Sequence, residues 1–211
     1  MMEIMQKGGP LMWVLLVCSL TALGTFLERI IYFHRATMEV GGFLTGISTL
    51  LKRGGYTEAS QEAANTPAPV ARVVHAVLAR RETSRAELRD IVQEAGQLEV
   101  PKLERNLALL STIAYVAPLI GLLGTIVGLI ESFLAISSHS GYTTVADISG
   151  GIYQSLLTSA AGIAVAIPAY VAYSYLSSRV NELIHDMERS GIEMIHLIHD
   201  NKPEVDSIKS A

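Results

Sequence analysis

Three stretches without a charged residue, 8–27, 106–130 and 148–178, interrupt an otherwise mixed chain of 211 residues. About 20 apolar residues in a helix cross a bilayer core, so each stretch predicts a spanning helix. The resulting division is an N-terminal segment with the first span (1–33), an intracellular region (34–106), the second span (107–136), a short connection (137–147), the third span (148–178) and a tail (179–211). Region 34–106 has the rhythm of helices. Phe43, Ile47, Leu50 and Leu51 share a face that stops at Gly54-Gly55, and Thr57 is expected to cap a short helix broken at Pro67-Ala68-Pro69. A helix through VARVVHAVLARR follows, and Ser84-Arg85-Ala86-Glu87 has the spacing of a capping box. Beyond it only Pro101 disturbs the pattern, and proline kinks a helix more readily than it forces a loop there, so the helix is expected to run into the second span. After the third span, Val180, Ile184, Met187, Met194 and Ile198 continue one apolar stripe into the tail, whose last residues, 201–211, read as frayed. The fold class is an all-α membrane protein whose second and third spans extend into a cytoplasmic helical bundle.

Composition agrees. Half the residues are hydrophobic and 17% are charged, against about 25% charge in soluble domains. Segment 34–106 holds ten Lys/Arg and the connection 137–147 holds none. Flanking Lys/Arg stay inside, which places the long segment and the tail in the cytoplasm and the N-terminus and short connection outside. The net charge of −4 and the lack of a basic, aromatic-interleaved stripe argue against a nucleic-acid partner. Ala22-Leu23-Gly24 would pass as a signal cleavage site, but Lys7 is the only basic residue before the first run, and a retained helix is the expectation. The single cysteine, Cys18, falls inside that run and reads as a small buried side chain.

The spans carry more than an anchor needs. Gly121, Gly124 and Gly128 repeat along the second, which also holds Pro118; the third offers Ala160, Ala161, Gly162, Ala164 and Ala166, with Pro168. Lipid tails do not drive apolar helices together, so small residues that allow close backbone approach read as helix packing, and the glycine surface is a candidate oligomer contact. Thr125 at midspan together with Thr158-Ser159 at similar depth on an antiparallel neighbour, where Ser155 shares a face with Ser159 and Gly162, suggests a narrow polar strip able to line a wet lumen. Such a hydroxyl alone usually bonds its own i−4 carbonyl. No carboxylate lies at the centre of a span; Glu131 is near one end of the second. A titrating group for proton conduction would therefore belong to a partner. His196, His199 and Glu193 do not make a convincing metal site, and no nucleophile elbow, phosphate loop or zinc-protease helix is present, so neither metal, cofactor nor enzymatic catalysis is expected.

Two stretches, APLIGLLGTIVGLIESF (117–133) and GGIYQSLLTSAAGIAVAIPAY (150–170), carry a resemblance to the ExbB/TolQ/MotA family of proton-channel subunits, within it the ExbB and TolQ branch. The resemblance implies a bacterial inner-membrane protein with a periplasmic N-terminus, forming a homopentameric ring around an ExbD-like or TolR-like partner, a single-span protein supplying a titrating membrane aspartate. Proton flow would energise an envelope process such as TonB-dependent transport, with a TonB-like protein as a further partner. It also implies that Thr125 and Ser159 face the aspartate. Branch members often carry glutamate where this chain has Gln154, which cannot titrate, so either a carboxylate there is dispensable or Glu131 serves the outer mouth. The flagellar stator branch, with four expected spans, fits less well. A non-conducting scaffold that stabilises a partner shares the packing features and remains the alternative.

Overall fold

A computed structural model describes residues 8–36, 39–138 and 145–200. Its described residues are helical, with no strand: α1 Pro10–Ala36, α2 Val40–Lys52, α3 Tyr56–Asn65, α4 Pro69–Ala79, α5 Arg85–Glu104, α6 Leu107–Ser138 and α7 Val145–Asp200. Three of these are long and apolar enough to cross a membrane, within Pro10–His34, Leu107–Ser137 and Ser149–Asp200. The expected frayed tail and most of the connection 137–147 lie outside the described residues.

The chain divides into two compact units, residues 1–29 with 106–176 and residues 30–105 with 177–211. In the first, Leu15, Ala117 and Ala166 form a buried centre that Ile120, Ala161 and Val165 pack against. Leu119, Leu122, Ile126, Phe133, Ile163 and Ile167 are exposed. Hydrophobic side chains facing outward on helices of this length suit a hydrocarbon solvent.

In the second unit α2 packs on α3, α3 on α4 and α4 on α5. Leu44, Ile47 and Leu51 are the buried face of α2, with Phe43 and Leu50 only partly covered. The sequence placed the start of α3 at Thr57, but the helix begins at Tyr56 with Gly55 as its cap and no capping side chain. The turn that precedes it uses Gly54 at φ +79°. α4 opens on Pro69, where a missing N–H costs nothing. The capping box at Ser84 is formed: its hydroxyl accepts from the Glu87 amide at 3.3 Å, and the Glu87 carboxylate accepts from the Ser84 amide at 3.0 Å. Along α7, Val180, Met187, Met194 and Ile198 are buried as the stripe required, joined by Leu183 and Ile195, while Ile184 is half-buried. Gly191 admits the Val92 side chain so closely that a Cβ there would collide with it.

The uninterrupted helix expected from Ser84 into the second span is not found. Pro101 lies within α5, and the break comes at Arg105–Asn106, with Asn106 at φ +63°. Asparagine tolerates this left-handed conformation better than most residues. Its side-chain amide donates to the Glu28 carboxylate at 2.9 Å, a tie made 78 residues back along the chain. By contrast α7 remains one helix of 56 residues with Pro168 inside it, and α6 contains Pro118.

Glu99, on α5, is 5% exposed and accepts from Arg72 at 2.6 Å and from Lys102 at 2.7 Å. Burial pushes its carboxyl up, but the two hydrogen bonds and the attraction of both cations outweigh that and hold it below its ordinary value. A depressed folded-state pKa contributes stability above about pH 4.3 that is lost as pH falls through the folded value. Both cations are substantially exposed, so Glu99→Gln should cost only ~1 kcal/mol at pH 7. That corresponds to roughly 2–4 °C in apparent Tm, and the difference from wild type should shrink as pH falls through the depressed folded value of the Glu99 carboxyl. Thermal melts of both proteins over a descending pH series check this.

Candidate functional site

The glycine stripe of α6 meets the small-residue stripe of α7 of the same chain. The helices run antiparallel: rising numbers on α6 (117, 121, 124, 128, 132) oppose falling numbers on α7 (162, 159, 158, 155, 151). A Cβ on Gly121 would lie 3.1 Å from the Ser159 carbonyl oxygen, and one on Gly162 would lie 2.7 Å from that of Ala117. One on Gly128 would lie 2.6 Å from the Gly151 carbonyl oxygen and 2.8 Å from the Ser155 Cβ. Gly124 is filled by Thr158, whose Cβ would be 2.7 Å from an added Cβ and whose methyl would be closer still. Two backbones thus approach where only hydrogen fits. The glycine surface is used within the chain, so any contact between copies needs another face. Gly151 and Ser132 belong to this seam and were not singled out from sequence; the Gly150-Gly151 pair was their only signal. Pro118 is half-buried in α6 and Pro168 is exposed on α7; each lacks the N–H that would serve the carbonyl four residues back.

The hydroxyls differ in how firmly their protons are held. Ser155 donates to the Ile152 carbonyl at 2.7 Å and Ser132 to that of Gly128 at 2.9 Å; both side chains are buried. Thr158, 1% exposed, reaches the Gln154 carbonyl at 2.9 Å and the Gly8 carbonyl at 3.1 Å. Thr125 is only partly buried, and both acceptors within its reach are long, the Gly121 carbonyl at 3.3 Å and the Ser155 carbonyl across the seam at 3.4 Å. Bonds near that length are weak, so its proton is loosely held. Ser159, next to Thr158 but about 100° further round α7, is partly exposed, as is Gln154, while Glu131 is exposed on α6. The seam therefore brings together Thr125, Ser155, Thr158 and Ser159, but their side chains do not share one face: Ser155 and Thr158 turn inward and Thr125 and Ser159 lie at the flanks.

Gly8 and Gly9 are a second feature missed from sequence. Gly8 is buried and Gly9 has φ +72°, and a Cβ on Gly9 would lie 2.7 Å from the Gln154 amide nitrogen. The Gly8-Gly9 pair directly before Pro10, the first residue of α1, was the available signal.

Residues 65–189 match the model of the MotA/TolQ/ExbB proton channel family, more than half of the chain. An ExbB homologue of Methanothermobacter thermautotrophicus is 28% identical over 89% of this chain, which covers 66% of that relative, just under two thirds of its length. An ExbB-like protein of Synechocystis is 30% identical over 94% of this chain and 96% of its own length. The Tol-Pal system protein TolQ of Haemophilus influenzae is 37% identical over 48% of this chain and 44% of TolQ.

Proposed function

The chain belongs to the MotA/TolQ/ExbB proton channel family, in its ExbB/TolQ-like branch, and from that premise we propose that it is the ring-forming subunit of a proton-driven inner-membrane motor. Several copies, five by family resemblance, surround the membrane helices of an ExbD/TolR-like partner, and proton flow past the partner's aspartate does work on the cell envelope. The observation that carries this reading is Thr125: a half-buried midspan hydroxyl with two long hydrogen bonds, on a helix whose only carboxylate is Glu131, near its end. A hydroxyl so placed can donate to an aspartate from another chain and accept from it once protonated, without adding a competing charge. Ser159 serves the same group from α7. Ser155 and Thr158 support the flanking hydroxyls from within the seam, and Gln154 and Glu131 lie toward the mouth.

The envelope process follows the relatives in two directions, biopolymer transport and the Tol-Pal system. The chain co-expressed with the ExbD-like protein of its own genome should appear in native mass spectrometry as a homo-oligomer holding fewer copies of the partner. Isolation as a monomer without partner would reject the ring.

Orientation has its own test. With Cys18 replaced, a cysteine at Ser140 should react with a membrane-impermeant maleimide added outside spheroplasts, and one at Ser84 should react only after lysis. The reverse pattern would invert the assignment.

A further inference from the structure

Thr158 makes contacts to three parts of the first unit. Its methyl fills the notch at Gly124, its hydroxyl reaches its own helix at Gln154, and the same hydroxyl reaches Gly8 in the segment before α1. A hydroxyl has one proton to give, so the Gln154 and Gly8 carbonyls share it. The i−4 bond alone would be the ordinary habit of a membrane threonine. The reach to Gly8 is not: it gives a donor to a carbonyl on a buried residue, where an unmet acceptor would be costly. One residue on, the Gln154 amide lies against the backbone of Gly9, which holds φ +72° and whose carbonyl accepts the first turn of α1 from Met12 at 3.2 Å.

We infer that Thr158 and Gln154 clasp the Gly8–Gly9 segment onto α7, and that this clasp fixes the rotation of α7 about its own axis. Thr158 and Ser159 are neighbours on the helix, so whatever pins Thr158 inward also fixes the flank on which Ser159 emerges. Thr158 is thus a positioning residue whose hydroxyl holds the segment and whose methyl holds α6. It acts on the proton path only through Ser159, a part of the inference that rests on the channel reading above.

The two roles of Thr158 separate by substitution. Thr158→Val keeps the branched shape at Gly124 and removes the donor, whereas Thr158→Ser keeps the donor and removes the methyl. Hydrogen exchange of the chain alone in liposomes, followed by mass spectrometry on peptides covering residues 8–15, reads the clasp with no proton flow involved. Thr158→Val should raise exchange there about tenfold, the scale of one lost hydrogen bond, and Thr158→Ser should restore protection to the wild-type range. Proton flux with the ExbD-like partner should follow the same order, lowered in Thr158→Val and recovered in Thr158→Ser. Wild-type exchange in Thr158→Val, or failure of Thr158→Ser to restore it, would overturn the clasp. If exchange obeys the prediction and wild-type flux is absent, the clasp stands and the channel reading falls.

Discussion

Gly124→Leu should unseat α6 from α7 and lower the apparent Tm by more than 5 °C. Even one added carbon would overlap the Thr158 methyl, and leucine adds three more. Thr158 cannot swing aside freely, because its hydroxyl is tied to backbone and its helix continues on both sides. Overpacking of this kind costs about 1–3 kcal/mol where the surroundings can yield, and a facing backbone yields less. The same substitution at Gly24, exposed on α1 with nothing within 4 Å of the added Cβ, should change Tm by little. A double change, Gly124→Ala with Thr158→Ala, should recover part of what Gly124→Ala alone loses, since it removes the methyl that an alanine would strike. Thermal melts of the four variants in one detergent check the set; equal Tm for Gly124→Leu and wild type would mean that the seam is not closed at Gly124.

Thr125→Val with Ser159→Ala should cut proton flux by about 100-fold while leaving the complex assembled. A hydrogen bond to a charged group is worth about 1.5–3 kcal/mol, and tenfold in rate is about 1.4 kcal/mol. Losing two donors from a partner's carboxylate therefore suffices for that factor. Both side chains lie at the flanks of the seam rather than inside it, and both substitutions nearly preserve volume, so the glycine contacts survive. Ser155→Ala is the contrasting control: its proton is committed to the Ile152 carbonyl, and flux should stay within about threefold of wild type. Native mass spectrometry of the double variant must show the wild-type oligomer for the flux result to count. Full flux in the double variant would remove Thr125 and Ser159 from the path and favour a non-conducting scaffold.

The parts of this molecule that can be read from sequence are those fixed by local chemistry. Charge-free length marked the three spans, and the Ser84–Glu87 capping box needed only four consecutive residues. The break at Asn106 could not be read that way. No glycine or proline announces it, and the left-handed turn is supported by Glu28 from a distant helix. In the seam, the glycines declared that something packs closely but not against what. Thr125 and Thr158 are the same residue type in similar surroundings, and only the rotation of their helices makes one loosely bonded and the other a buried tie. The Gly8–Gly9 contact was invisible for the same reason, since its meaning lies in a threonine 150 residues away.

Proton uptake by liposomes under an imposed membrane potential, with the chain and its ExbD-like partner reconstituted together, decides whether the pair conducts protons. Each charge moved gains about 2.3 kcal/mol per 100 mV, so a competent path should fill the lumen with protons measurably. Uptake is expected with both proteins, none with the chain alone, and none when the partner's membrane aspartate is changed to asparagine. Uptake no greater than that of empty liposomes when both proteins are present, or uptake that survives loss of the aspartate, would contradict it.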